Sequence, residues 1–119
     1  MAEFKYKYHY AQWYDGSAGQ RAVGVRHAQS SLRRLAGRLP ARGRALDVGC
    51  GHGFTLQALA SLGYVANGID ASEDQVAEAR AAGLDAEING DLAGWAAGRE
   101  NSYDLVTMSD VLEHVPVSA

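Results

Sequence analysis

Leu46-Asp47-Val48-Gly49-Cys50-Gly51-His52-Gly53-Phe54 decides the fold. Ala45 to Val48 is a short apolar strand, and three glycines in five residues follow it. Beyond them Leu56, Leu59 and Ala60 share one helical face. A strand that runs through a glycine-dense turn into a helix opens a βαβ unit. Glycine belongs where the chain turns sharply or where a ligand approaches the backbone. A pyrophosphate cradle needs G-x-G-x-x-G, with its third glycine at position 54. Phe54 stands there and the glycine is at 53, so the spacing argues against a pyrophosphate-bearing cofactor.

Downstream, Gly63 ends the first helix and Tyr64 to Ile69 reads as a second strand closing on Asp70. Ser72 with Gln75 forms a capping box, opening a helix of about ten residues that Gly83 closes. Leu84 to Ile88 reads as a third strand, and Asn89 to Asn101 as a polar loop with a helical turn around Trp95. Tyr103 to Met108 is a fourth strand, and Ser109-Asp110 begins another helix. This alternation predicts an α/β fold, a parallel sheet with helices on both faces. Ligands of such sheets bind beyond the carboxyl ends of the strands. Gly49 to Gly53, Asp70-Ala71, Gly90-Asp91-Leu92 and Ser109-Asp110 all fall on that rim. Strand order 3-2-1-4 leaves the fourth strand as an apolar edge. An edge of that kind suits a truncated piece of a longer protein or a homodimer that pairs across it.

Upstream, Val25, Ala28, Leu32, Leu35 and Leu39 recur at helical spacing, with Arg26, Arg33, Arg34 and Arg38 between them. They predict an amphipathic helix from Ala18 to Leu39, stopped by Pro40. Residues 1–43 form an aromatic and basic helical segment, a lid or cap, and residues 44–119 the sheet domain. Residues 1–44 hold nine Lys/Arg and two Asp/Glu, whereas residues 45–119 hold two Arg and twelve Asp/Glu. This asymmetry is read first as a solvated helix face beside an acidic domain, and second as a contact surface for an anionic partner. A single cysteine, Cys50, excludes an intrachain disulfide and a multi-cysteine metal site. No apolar run approaches the roughly 18 residues of a membrane span, and no signal peptide opens the chain. A cytoplasmic protein without membrane contact is the simplest reading.

Leu46 to Gly53 resembles motif I of the class I S-adenosylmethionine-dependent methyltransferases. Gly68-Ile69-Asp70 is similar to their second motif, Asn89-Gly90-Asp91-Leu92 to their third, and Tyr103 to Val106 through Val111 to Val115 to their fourth. The resemblance covers about residues 44–115. It implies a Rossmann-like fold, incomplete after the fourth strand, with S-adenosyl-L-methionine as cofactor. It also implies that Asp47 and the backbone of Gly49, Cys50, Gly51 and Gly53 hold the methionine moiety. Asp70 would bind the ribose hydroxyls and Ala71 would pack near the adenine. Asp91 would accept the adenine amino group beside the Leu92 amide, and Ser109 would lie near the methionine end. An acidic rim suits a cofactor carrying a sulfonium and an ammonium. The reaction would be an in-line displacement in which the protein supplies alignment and desolvation. A small-molecule acceptor is expected. RNA or another polyanion is the alternative, and a non-catalytic cofactor-binding fragment is a third reading.

Other residues have competing readings. Asp110, Glu113 and His114 form a D-x-x-E-H pattern that can ligate a divalent metal. A helix-face pair with a first-turn acid is favoured, since a metal site needs further ligands. His114 is also the candidate general base. Tyr14 either covers the cofactor as part of an aromatic lid or packs against the fold. Cys50, near a helix N-terminus, is read as a small turn residue rather than as an activated thiol.

Overall fold

The computed structural model describes residues 17–108. Ser17 opens α1 (Ala18–Arg34), its Oγ accepting the Gln20 N–H at 3.2 Å. This bond satisfies one of the amides that a first helical turn leaves unpaired. The helix is shorter than its apolar spacing predicts. It caps at Leu35 and tightens into a 3₁₀ turn over Ala36–Arg38. Pro40 keeps the helix from reaching Leu39, because it drives the residue before it out of helical backbone, and Leu39 is extended at φ −109°, ψ 153°. Leu39 still reaches the core, whereas Leu35 is exposed.

The remaining elements are β1 (Gly43–Val48), α2 (Phe54–Ser61), β2 (Tyr64–Asp70), α3 (Glu73–Ala81), β3 (Ala86–Ile88), α4 (Leu92–Ala96) and β4 (Leu105–Thr107). The four strands pair in parallel in the order β3-β2-β1-β4, as predicted. The third strand starts two residues late because the Leu84 N–H closes the end of α3 on the Ala79 carbonyl at 3.1 Å. The fourth is shorter than predicted at both ends. Just before it, Asp104 brackets Arg44, donating its N–H to the Arg44 carbonyl and accepting the Arg44 N–H on Oδ2, each at 2.9 Å. On α2 the buried positions are Leu56, Ala58 and Leu59, and Ala60 faces out.

Side chains alternate across a strand, which sorts the core by face. Ala45 meets Val25 and Leu32 of α1, Ala58 and Leu59 of α2, and Tyr64. Cys50, Leu56, Val76, Ala79 and Ala86 continue that layer under α3. Burying Val25 and Leu32 stabilises the docked α1 by about 1.5–3 kcal/mol each. The N-terminal helix therefore shares one core with the sheet. It crosses α2 closely at Gly24, where a Cβ would stand 2.6 Å from the Phe54 ring.

Leu46, Val48 and Ile69 face the other way, covered by Trp95 of α4 and by Tyr103. Helices do lie on both faces, but among the described residues unequally, with three on one and the short α4 on the other. Val65 on the thin side is 72% exposed and Val106 is 50% exposed. Parallel sheets are normally buried on both faces. Among the described residues, no helix is long and apolar enough to cross a membrane.

Candidate functional site

The turn between β1 and α2 holds Gly49, Gly51 and Gly53 at φ 75°, 53° and 92°, all in the left-handed region. That backbone costs a side-chain-bearing residue roughly 1–2 kcal/mol, which accounts for three glycines in five positions. The turn spends its own amides. Gly49 and Cys50 donate to the Ile69 carbonyl at 2.8 and 3.0 Å, and Gly53 donates to the Cys50 carbonyl at 2.9 Å. Gly51 donates to Asp70 Oδ2 at 2.9 Å. A phosphate cradle needs such amides free and convergent. The bonding thus gives a structural reason for the missing pyrophosphate spacing.

Asp70 gathers the rim. Besides Gly51, its Oδ1 accepts the Ser72 N–H at 2.8 Å, and its main-chain carbonyl accepts the Asn89 N–H at 2.9 Å. One residue thereby links the loops that follow β1, β2 and β3. Ala71 lies exposed beside Gly90, where a Cβ would sit 3.7 Å from the Ala71 Cβ. Asn89 Oδ1 accepts the Asp91 N–H at 2.7 Å, and Asp91 Oδ1 caps α4 by accepting the Gly94 N–H at 3.1 Å. Leu92 follows at 40% exposure.

Asp47 is 2% exposed and accepts the Thr107 hydroxyl at 2.7 Å. Thr107 was not anticipated. Its signal was available, since it lies on the predicted fourth strand beside the strand that carries Asp47. The Cys50 side chain points down into the core against Gly68. Burial, together with the charges of Asp47 and Asp70, pushes its thiol up to about 12. It is a neutral packing group, as the sequence suggested, and the nearby helix N-terminus does not activate it.

Two further side chains hold the turn, and neither belongs to the sequence motifs. Arg21 of α1 donates to the His52 carbonyl at 2.6 Å and to Gln57 Oε1 at 3.1 Å, with its guanidinium 5.3 Å from the Phe54 ring centre. His52 Nδ1 lies 2.8 Å from Glu78 Oε2 of α3. Tyr14, Ser109, Asp110, Glu113 and His114 lie outside the described residues. Among the described residues, no group of three or more His, Cys, Asp or Glu is placed to hold a metal.

A family described as a methyltransferase domain matches residues 18–119. The chain belongs to that family, and its four-stranded sheet and glycine turn are those of the class I S-adenosylmethionine-dependent methyltransferases. It is 35% identical over 116 residues to a ubiquinone biosynthesis O-methyltransferase of Bordetella avium, a match that takes in 89% of this chain and 46% of the relative. It is 34% identical over 113 residues to the protein of the same description in Xanthomonas oryzae, covering 88% of this chain and 46% of that one. The chain thus spans about half the length of the curated relatives it matches. Among solved structures it is similar in fold to the YcgJ protein of Bacillus subtilis. There the TM-score is 0.52 at 24% identity, covering 74% of this chain and 42% of that one.

Proposed function

We propose that this chain binds S-adenosylmethionine along its carboxyl rim, and that the whole protein transfers the cofactor's methyl group to a small-molecule acceptor. The observation that carries the reading is the bonding of Asp70, whose carboxylate ties two rim loops together at the end of β2; the ribose hydroxyls would be its further donors. The cofactor, when bound, supplies a sulfonium-activated methyl group. The residues of this chain fit it. The amides of Gly49, Cys50, Gly51 and Gly53 are already engaged, so the turn is no anion cradle, and the buried Asp47 beneath it favours a cation. Ala71, Asp91 and the Leu92 amide would form the adenine end. Asp47 acts on the methionine end through Thr107 and its field. The Bordetella and Xanthomonas relatives, both ubiquinone biosynthesis O-methyltransferases, support a small-molecule acceptor.

Titration calorimetry with S-adenosylmethionine tests this reading. Saturable binding is expected between about 1 μM and 1 mM, the range usual for enzyme substrates. No heat at millimolar cofactor overturns it.

A cytoplasmic location is part of the proposal, as is self-association through β4. That strand is an outer strand of the sheet and carries the half-exposed Val106, and unpaired edges invite strand addition. Light scattering at high protein concentration should report a dimer, and a monomer there removes the pairing.

A further inference from the structure

We infer that Glu78 is a positioning residue for the methionine end of the cofactor, acting through His52 on the glycine turn; this rests on the cofactor-binding reading above. Three of the five turn residues are glycine, the residue that loses most conformational freedom on folding. Such a turn does not hold one shape by itself. Only Cys50 and His52 carry side chains within it, and both are anchored. Cys50 goes down against Gly68 and Leu56 in the core. His52 goes sideways, its Nδ1 at 2.8 Å from Glu78 Oε2, its side chain only 11% exposed, and its ring stacked 5.8 Å from that of Phe54.

The His52 carbonyl is held from the opposite side by Arg21. One residue is therefore fixed by α1 through its backbone and by α3 through its ring. Its neighbours Gly51 and Gly53 are the ones whose backbone would face the ligand. Glu78 lies 26 positions further along the chain than His52. Its carboxylate meets the turn, and Arg80, two positions on and so on a different face of α3, is not its partner. Arg80 donates instead to the Ala86 carbonyl at 2.8 Å. Among the described residues Glu78 bonds to neither Asp70 nor the loop after β3, so its influence should fall on the methionine arm and spare the adenosine end.

The experiment compares two ligands by calorimetry, S-adenosylhomocysteine, which carries the amino-acid arm, and adenosine, which lacks it. Glu78→Ala should weaken S-adenosylhomocysteine about tenfold, the scale of one charge-assisted hydrogen bond, while adenosine changes less than about twofold. Glu78→Gln keeps an oxygen acceptor for the imidazole N–H and should recover most of the loss. An unchanged affinity for S-adenosylhomocysteine in Glu78→Ala overturns the inference. Equal weakening of both ligands also overturns it, since that marks a merely structural role. Absence of binding by the wild-type chain is a different result, which removes the cofactor reading and this inference with it.

Discussion

Replacing Asp70 with Ala should weaken S-adenosylmethionine binding by about a hundredfold. The carboxylate accepts two charge-assisted bonds within the protein, from Gly51 and Ser72, and such bonds are worth about 1.5–3 kcal/mol each. Their loss frees the glycine turn from the loop that follows β2. The ribose hydroxyls lose their acceptors in the same step, and a hundredfold corresponds to about 2.7 kcal/mol. Asp70→Asn is the informative partner. It keeps one carbonyl oxygen for either the Gly51 or the Ser72 amide, so its affinity should fall between wild type and Asp70→Ala. Calorimetry measures the ligand effect, and urea unfolding measures the part that belongs to the fold. An Asp70→Ala protein that binds like wild type shows that the ribose lies elsewhere.

Much of this site was legible in the sequence because its chemistry is local. Gly49, Gly51 and Gly53 announce left-handed backbone by composition alone, and Asp70 ends an apolar run at the distance of one βα unit. Ser72 declares the start of α3 by accepting the Gln75 N–H, but the return half of the capping box is not made, since the Ser72 N–H goes to Asp70. Less legible were contacts between elements distant in the chain. Arg21 reads as one more arginine of a basic helix, yet it binds a carbonyl 31 residues away. Glu78 reads as a solvated acid on a polar helix, and Thr107 as a β-branched strand residue. Periodicity reports which face a residue occupies but not what it meets there. The end of α1 was misjudged for a related reason. Leu35 and Leu39 continue the helical spacing, but the restriction Pro40 imposes on Leu39 outweighs the pattern. The weight of helices on each face was also hidden. It depends on how α4 packs, and α4 is five residues long.

The remaining large effect joins packing to the site. Gly68→Ala should destabilise the fold by about 3 kcal/mol, at the upper end of the usual cost of overpacking. At roughly 4–8 °C per kcal/mol for a domain of this size, the melting temperature should drop by well over ten degrees. Gly68 sits mid-strand in β2, paired with Asp47 on one side and Ala86 on the other. An added Cβ would stand 2.6 Å from the Cys50 Cβ, 2.8 Å from its Sγ and 3.1 Å from Leu56 Cδ2. The first of these atoms is fixed to the turn backbone and cannot swing aside. Relief therefore requires Cys50 to lift, and with it the Gly51 amide that Asp70 holds. Cofactor affinity should fall together with stability. Gly19→Ala is the matched control, because it adds the same methyl group in the first turn of α1 with nothing within 4 Å among the described residues. That change should stabilise the helix by about 0.5–1 kcal/mol. Opposite signs for one chemical change at two glycines would tie the loss to the contact with Cys50. A Gly68→Ala protein that melts with wild type would mean that the turn yields without cost, and a turn so soft could not be the fixed cradle that the cofactor reading requires.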